Sequence, residues 1–217
     1  MSDLKIKIPT YSLGEELLSS ISHGIGTLLG VTALVLCVIR SVQHGNPWAI
    51  AASIVYGITL ILLYCASTIY HALRVNRAKQ VFRVLDHCNI FLLIAGTYTP
   101  YTLVSLNGKI GWILFGVVWA AAILGIIFNA ISVERFKVFS MICYLAMGWV
   151  IVFAFRPFLA AAGWDATFLL LAGGVAYSVG AILYGVGKKV KYMHSIWHFF
   201  VLAGSILHFF SIYLYVV

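Results

Sequence analysis

The sequence predicts an all-α membrane protein in which seven transmembrane helices form one bundle. Of its 217 residues, 63% are hydrophobic and 9% are charged, and the mean hydropathy is +1.03. These values lie outside the range of soluble globular domains. Apolar stretches of about 20 residues, the length that crosses a hydrocarbon core, recur seven times. They use most of the chain, so we expect a single membrane domain over residues 1–217.

The apolar stretches place each span to within about three residues at either end. Turn-forming dipeptides separate several of them: Asn-Pro at 46–47, Asn-Gly at 107–108 and Arg-Pro at 156–157. Glycines recur inside the stretches, where small residues let helices approach closely. The predicted spans are about 20–40, 47–71, 84–105, 110–132, 138–155, 165–187 and 194–216.

About 19 residues precede the first predicted span, and they contain no apolar core and no small-residue cleavage site. We therefore expect no removable signal peptide. Glu15 and Glu16 precede a short apolar run, which indicates an interfacial helix with its carboxylates near the positive helix N-terminus. An alternative interpretation has Glu15 or His23 reaching toward the candidate site described below.

Lysine and arginine are distributed unequally between the segments that connect the spans. Eleven of the 14 fall in one set of alternating segments and three in the other. The positive-inside rule then predicts a cytosolic N-terminus and, after an odd number of spans, an outside C-terminus. This topology explains the net charge of +8 without a nucleic-acid partner. The first set is Lys5, Lys7, Arg74, Arg77, Lys79, Arg83, Arg135, Lys137, Lys188, Lys189 and Lys191; the second is Arg40, Lys109 and Arg156.

The four cysteines lie in four different apolar stretches, and no two have the spacing of metal ligands. Free cysteine in such positions behaves as a small apolar core residue. We expect this role, and no zinc–thiolate site, for Cys37, Cys65, Cys88 and Cys143.

Three histidines near the ends of two spans form a candidate metal site. Ionisable groups within spans are expensive, and by default they indicate function. His194 and His198 stand four residues apart on one helical face and can chelate one ion. His71 ends the second span, which the predicted topology brings to the same cytosolic level. Three imidazoles with an open fourth position are typical of catalytic zinc, so we predict a Zn²⁺ site at these residues.

Two further polar residues near the same level are predicted to be catalytic. Asp86 is the acid that falls within a predicted span, and a carboxylate beside a zinc-activated water can orient it or accept its proton. Ser67 precedes His71 by four residues, so its hydroxyl faces the same way and can donate to a developing oxyanion. The alternative for each is structural: a buried histidine as a packing donor, or a serine bonded to its own helix.

The other histidines are less suited to this site. His208 lies about 15 Å along the helix from His198, at 1.5 Å per residue, and we interpret it as a polar packing residue. His44 falls at the opposite membrane face. His87 adjoins Asp86 but points about 100° away, which makes it a weaker candidate than His71.

Three motifs carry a resemblance to a known family. S-T-I-Y-H at 67–71, F-R-V-L-D-H at 82–87 and H-S-I-W-H at 194–198 resemble the motifs of the hemolysin III proteins, which belong to the progestin and adipoQ receptor family. The segments S-H-G-I-G, A-G-T-Y-T-P and L-Y-V-V are similar to the bacterial branch. The resemblance covers nearly the whole chain.

The resemblance implies a seven-span protein of the bacterial inner membrane with a zinc ion near its cytosolic face. It implies that His71, His194 and His198 hold the zinc, with Asp86 near the zinc water and Ser67 in support. In the wider superfamily, which includes alkaline ceramidases and adiponectin receptors, this arrangement hydrolyses lipid amides. Membrane lipids are therefore the expected partners.

Three functions remain open at the level of sequence. The first is zinc-dependent hydrolysis of a membrane lipid, which would affect lipid homeostasis. The second is a non-enzymatic sensor or regulator of the membrane state, in which a structural zinc ties the second and seventh spans together. The third is a cytolytic pore or a transporter, which the shortage of charged residues deep in the spans disfavours.

Overall fold

The computed structural model describes residues 8–186 and 190–217, and all regular structure in these ranges is helical. Lys5, Lys7, Lys188 and Lys189, which entered the charge comparison, lie outside the described residues. The helices are α1 (Leu13–Gln43), α2 (Pro47–Ala72), α3 (Arg77–Pro100), α4 (Lys109–Trp149), α5 (Phe155–Val186) and α6 (Met193–Tyr215). A π-helical turn, Tyr101–Ser105, extends α3, and a 3-10 turn, Val150–Ala154, joins α4 to α5. The predicted all-α membrane class is confirmed.

Five helical stretches in the described part of the chain are long and apolar enough to cross a membrane. The longest, Lys109–Gly185, has 77 residues and contains two interruptions. Ser132 has extended backbone (φ −167°, ψ 107°), and Gly163 has φ 80°, a left-handed conformation that favours glycine. The predicted spans at about 110–132, 138–155 and 165–187 fall within this stretch. The count of seven crossings stays a prediction.

The helix boundaries differ from the predicted spans at two places. The predicted interfacial segment and first span form one continuous helix, because Ser12 and Glu15 build a capping box that starts α1 at Leu13. The break predicted between about 155 and 165 lies at Gly163, whereas Arg156 and Pro157, which were predicted to open it, belong to α5. Proline is tolerated in the first turn of a helix, where its missing N–H has no intrahelical partner.

The helices pack as a ring: α1 contacts α2 and α6, α2 contacts α3, α3 contacts α4, and α5 contacts α6. Glycines allow the closest approaches. A Cβ atom on Gly96 would lie 2.0 Å from Thr59 Oγ1, and one on Gly26 would lie 2.6 Å from the Tyr64 ring. Neither position has room for a larger residue, so α1, α2 and α3 are held in close contact.

Hydrogen bonds fix the relative direction of α1 and α6. At one end of the bundle, the Ser19 and Ser195 hydroxyls are 3.1 Å apart, near the start of both helices. At the other end, Arg40 Nε donates to the Val217 carbonyl oxygen at 2.7 Å. The two helices therefore run in the same direction, and the end that carries their N-termini is called here the histidine end.

Candidate metal centre

Three imidazoles converge at the histidine end. His194 Nε2 lies 3.3 Å from His71 Nε2 and 3.2 Å from His198 Nε2, and one ring nitrogen from each residue falls within 4.8 Å of the others. All three side chains are buried. Histidines from the end of α2 and the start of α6, 123 residues apart in sequence, thus form one cluster that can hold a metal ion.

Two of the three nitrogen separations match those of a tetrahedral ion. With metal–nitrogen bonds of 2.0–2.1 Å, two ligands of a tetrahedral zinc are separated by about 3.3 Å. The separations of His194 Nε2 from His71 Nε2, 3.3 Å, and from His198 Nε2, 3.2 Å, are close to that value. Imidazole also suits other first-row ions such as copper, iron and nickel. The donor set therefore fits zinc without identifying it.

A carboxylate and an ammonium group lie behind one of these histidines. His71 Nδ1 lies 2.7 Å from Glu16 Oε2, and Lys79 Nζ donates to Glu16 Oε1 at 2.6 Å. Because a carboxylate oxygen only accepts, the ring proton of a neutral His71 is on Nδ1, which leaves the lone pair on Nε2. That lone pair is on the atom nearest to His194.

Two aromatic rings cover the other histidines. Tyr11 stacks on His194 with ring centroids 4.6 Å apart and an interplanar angle of 20°, and His23 stacks on His198 at 3.8 Å. Burial raises the pKa of the Tyr11 phenol above its ordinary value, so this group stays neutral. Of the two side chains in the alternative interpretation, His23 reaches the cluster, whereas Glu15 caps α1 and accepts from the Tyr192 N–H.

Asp86 lies in the wall of an elongated cavity of about 120 Å³ that runs inward from the histidine end. Asp86 is buried, and His23 and His87 also line this cavity. Ser67 lies beside the Asp86 carboxyl. Its buried hydroxyl has no hydrogen bond of ordinary geometry to any described residue. The rest of the wall is mostly apolar and includes Leu63, Ile90, Leu93, Ile94, Met141, Leu145 and Val201.

The remaining histidines have separate partners. His208 Nε2 lies 3.0 Å from the Leu170 carbonyl oxygen, which confirms its interpretation as a packing residue between α6 and α5. His87 Nδ1 lies 2.9 Å from the Arg83 carbonyl oxygen of its own helix, and His44 is exposed at the end of α1. The cysteines form no disulfide; Cys37 and Cys88 are buried as predicted, whereas Cys65 and Cys143 are only half-buried.

Tyr11, Glu16 and Lys79 belong to this centre but were not predicted from the sequence. The sequence contains a pattern that could have predicted Glu16. Glu16, Ser19 and His23 are spaced three and four residues apart, so they share one face of α1. Ser19 and His23 both contact α6 on that face. No comparable signal marks Tyr11, which precedes the helix, or Lys79, whose contact depends on how α3 packs.

Comparison with known proteins identifies relatives along most of the chain. The family model described as Haemolysin-III related matches residues 11–209. Hemolysin-3 of Bacillus cereus is 44% identical over 207 residues, covering 95% of this chain and 94% of that protein. The Hemolysin-3 homolog of Bacillus subtilis (strain 168) is 40% identical over 207 residues, covering 95% and 97%.

A more distant relative comes from animals. The human monocyte to macrophage differentiation factor is 27% identical over 178 residues, covering 77% of this chain and 71% of that protein. No solved structure matches this chain.

Proposed function

This chain belongs to the Haemolysin-III related family, and on that basis we propose that it is a zinc-dependent hydrolase of an amide bond in a membrane lipid. It is a multi-pass protein of the bacterial plasma membrane. The observation that carries the proposal is the convergence of three buried imidazoles, together with a buried carboxylate that lines an apolar cavity.

In this proposal His71, His194 and His198 hold the zinc, which when bound supplies Lewis-acid activation of water for attack on a carbonyl. The Asp86 carboxylate accepts a proton from the attacking water and then delivers it to the amine nitrogen that leaves. The Ser67 hydroxyl donates a hydrogen bond to the substrate carbonyl oxygen as negative charge develops there. The apolar cavity wall excludes bulk water and accommodates an acyl chain.

We further propose seven crossings, with the histidine end at the cytosol. The interruptions at Ser132 and Gly163 divide the 77-residue stretch into three segments. If each segment crosses the membrane, the five helical stretches make seven crossings. The parallel direction of α1 and α6 supports an odd number. Reporter fusions after Val217 should report the outside and fusions at Arg74 the cytosol. A reporter that places both sites on one side of the membrane contradicts this topology.

The function is tested with Asp86→Asn, whose amide keeps the shape of the carboxyl but takes no proton at neutral pH. We expect about one zinc per chain in the unmodified protein and in Asp86→Asn. Hydrolysis by Asp86→Asn should fall by about 10²–10⁴-fold, the usual contribution of a general base. Ser67→Ala should cost about 10²–10³-fold if its hydroxyl serves an oxyanion. The measurements are metal analysis of the purified protein and a comparison of membrane lipids from cells that express each variant.

Asp165→Asn is the matched control, because it makes the same chemical change at an exposed acid. It should retain the lipid profile of the unmodified protein. A similarly unchanged profile in Asp86→Asn, at equal abundance, contradicts the hydrolase and favours the second candidate, a membrane-state sensor with a structural metal. The stacking of Tyr11 and His23 on the cluster supports that alternative, since structural metal sites are closed.

A further inference from the structure

Residues just before α1 and in its N-terminal part contact the three clustered histidines. Tyr11, just before α1, stacks on His194, and His23 stacks on His198. The contact to His71 is different in kind, because it is a hydrogen bond of 2.7 Å from a ring nitrogen to the Glu16 carboxylate. A stacked ring excludes water, whereas a carboxylate on the outer ring nitrogen also decides which nitrogen carries the proton.

We propose that Glu16 is a positioning residue that fixes the tautomer and ring orientation of His71, and that Lys79 fixes Glu16. This inference rests on the proposed metal-binding function. With the proton of neutral His71 held on Nδ1 by Glu16 Oε2, Nε2 offers its lone pair toward His194 Nε2, 3.3 Å away. In the other tautomer a proton would occupy the direction needed for a metal bond.

Lys79 holds the second oxygen of the same carboxylate. Its Nζ lies 2.6 Å from Glu16 Oε1 and 2.9 Å from the Leu73 carbonyl oxygen, and 5.1 Å from the centre of the Tyr70 ring. Lys79 is 2% exposed, and a buried ammonium of this kind needs a counter-charge. Both carboxylate oxygens of Glu16 are thus engaged, one by each partner, which restricts the side chain to one orientation.

The adjacent residue, Glu15, provides a matched control. It has the same charge and lies on the same helical turn, but its oxygens accept from the Ser12 N–H at 2.9 Å, the Ser12 hydroxyl at 2.7 Å and the Tyr192 N–H at 2.8 Å. These are cap and loop contacts. A general effect of charge near the centre would appear in Glu15 and Glu16 variants alike, whereas a positioning effect appears only at Glu16.

The first experiment compares metal affinity in Glu16→Gln and Glu15→Gln by chelator competition, with zinc and with Co²⁺ as the probes. Glutamine preserves the size of the side chain and one acceptor oxygen in both variants. We expect Glu16→Gln to weaken metal binding about 10–100-fold and to change the Co²⁺ absorption spectrum, with Glu15→Gln within about two-fold of the unmodified protein. Equal affinities and spectra in the two variants overturn the inference.

A second measurement needs no metal. Ring ¹⁵N chemical shifts of His71 in the metal-free protein report which nitrogen carries the proton. We expect Nδ1–H in the unmodified protein and a mixture of tautomers in Glu16→Gln. An unchanged tautomer in Glu16→Gln overturns the inference. If the unmodified protein binds no metal, the proposed function fails, and the tautomer measurement still decides the role of Glu16.

Lys79→Met separates a direct role of the ammonium from one that acts through Glu16. We expect it to weaken metal binding on its own and to add nothing when combined with Glu16→Ala, because residues in one network are not additive. Additive losses in the double variant contradict the assigned role of Lys79.

Discussion

Helix α6 carries two buried histidines, His198 and His208, whose surroundings differ. His198 and His208 are ten residues apart and are 0% and 8% exposed. His198 Nε2 lies 3.2 Å from another imidazole nitrogen, and its ring stacks on His23. His208 Nε2 instead lies 3.0 Å from the Leu170 carbonyl oxygen. Burial alone therefore does not distinguish a candidate metal ligand from a packing residue.

The partner of the ring nitrogen makes the difference. A carbonyl oxygen only accepts, so His208 Nε2 carries a proton and has no lone pair to offer a metal. In the cluster of His71, His194 and His198, ring nitrogens face one another, and the three residues can hold one metal ion together. His208 Nδ1 also has no hydrogen-bond partner in the described part of the chain, so a free lone pair alone does not make a ligand; the cluster differs because several imidazole nitrogens meet there.

The largest expected difference between the regions is in metal binding. Loss of a residue that hydrogen-bonds to a metal ligand typically lowers metal affinity by roughly 10–100-fold. His198→Ala should lower zinc affinity by more than this, because it removes a proposed ligand. His208→Ala should bind as tightly as the unmodified protein. Metal analysis and chelator titration of the purified variants measure this. Equal zinc content in both variants would remove the distinction drawn between the two histidines.

Metal removal should separate the regions in stability. A ligand at 100 times its Kd stabilises the folded state by about 2.7 kcal/mol, so a chelator should lower the thermal midpoint of the unmodified protein. His208→Ala should respond in the same way, because its cluster is intact. His198→Ala should show no further decrease on chelation. A decrease in His198→Ala as large as that of the unmodified protein would place the metal elsewhere.

The smallest expected effect is the loss of the His208 hydrogen bond. Interhelical hydrogen bonds in membrane proteins are worth about 0.6 kcal/mol on average, so His208→Ala should destabilise by about that amount plus the loss of packing. His208→Gln, which keeps a donor, should be milder. Gly173→Ala should also destabilise, since its Cβ would lie 2.2 Å from the His208 ring. Thermal unfolding in detergent measures all three, and a zinc loss in any of them contradicts a pure packing role.

Much of the fold and part of the centre could be predicted from the sequence. Apolar length and turn dipeptides predicted the helical membrane class and the span limits near Pro47 and Ser132. The break at Gly163 falls in the predicted gap between about 155 and 165, but the sequence opened that gap at Pro157, because local rules treat proline as a terminator and do not show where a helix begins. The pairing of His194 with His198 followed from helical spacing alone, and the charge pattern placed His71 at the same level.

Local periodicity predicted which residues share a helical face, and the apolar lengths and charge pattern predicted which helix ends lie together, because the bilayer acts as the solvent for these helices. The contact of Glu16 with His71, 55 residues away, and the stacking of Tyr11 on His194 appear only when the helices pack together. Such contacts depend on the rotation and approach of whole helices. Those are set by the summed packing of many side chains, including the glycine contacts between α1, α2 and α3.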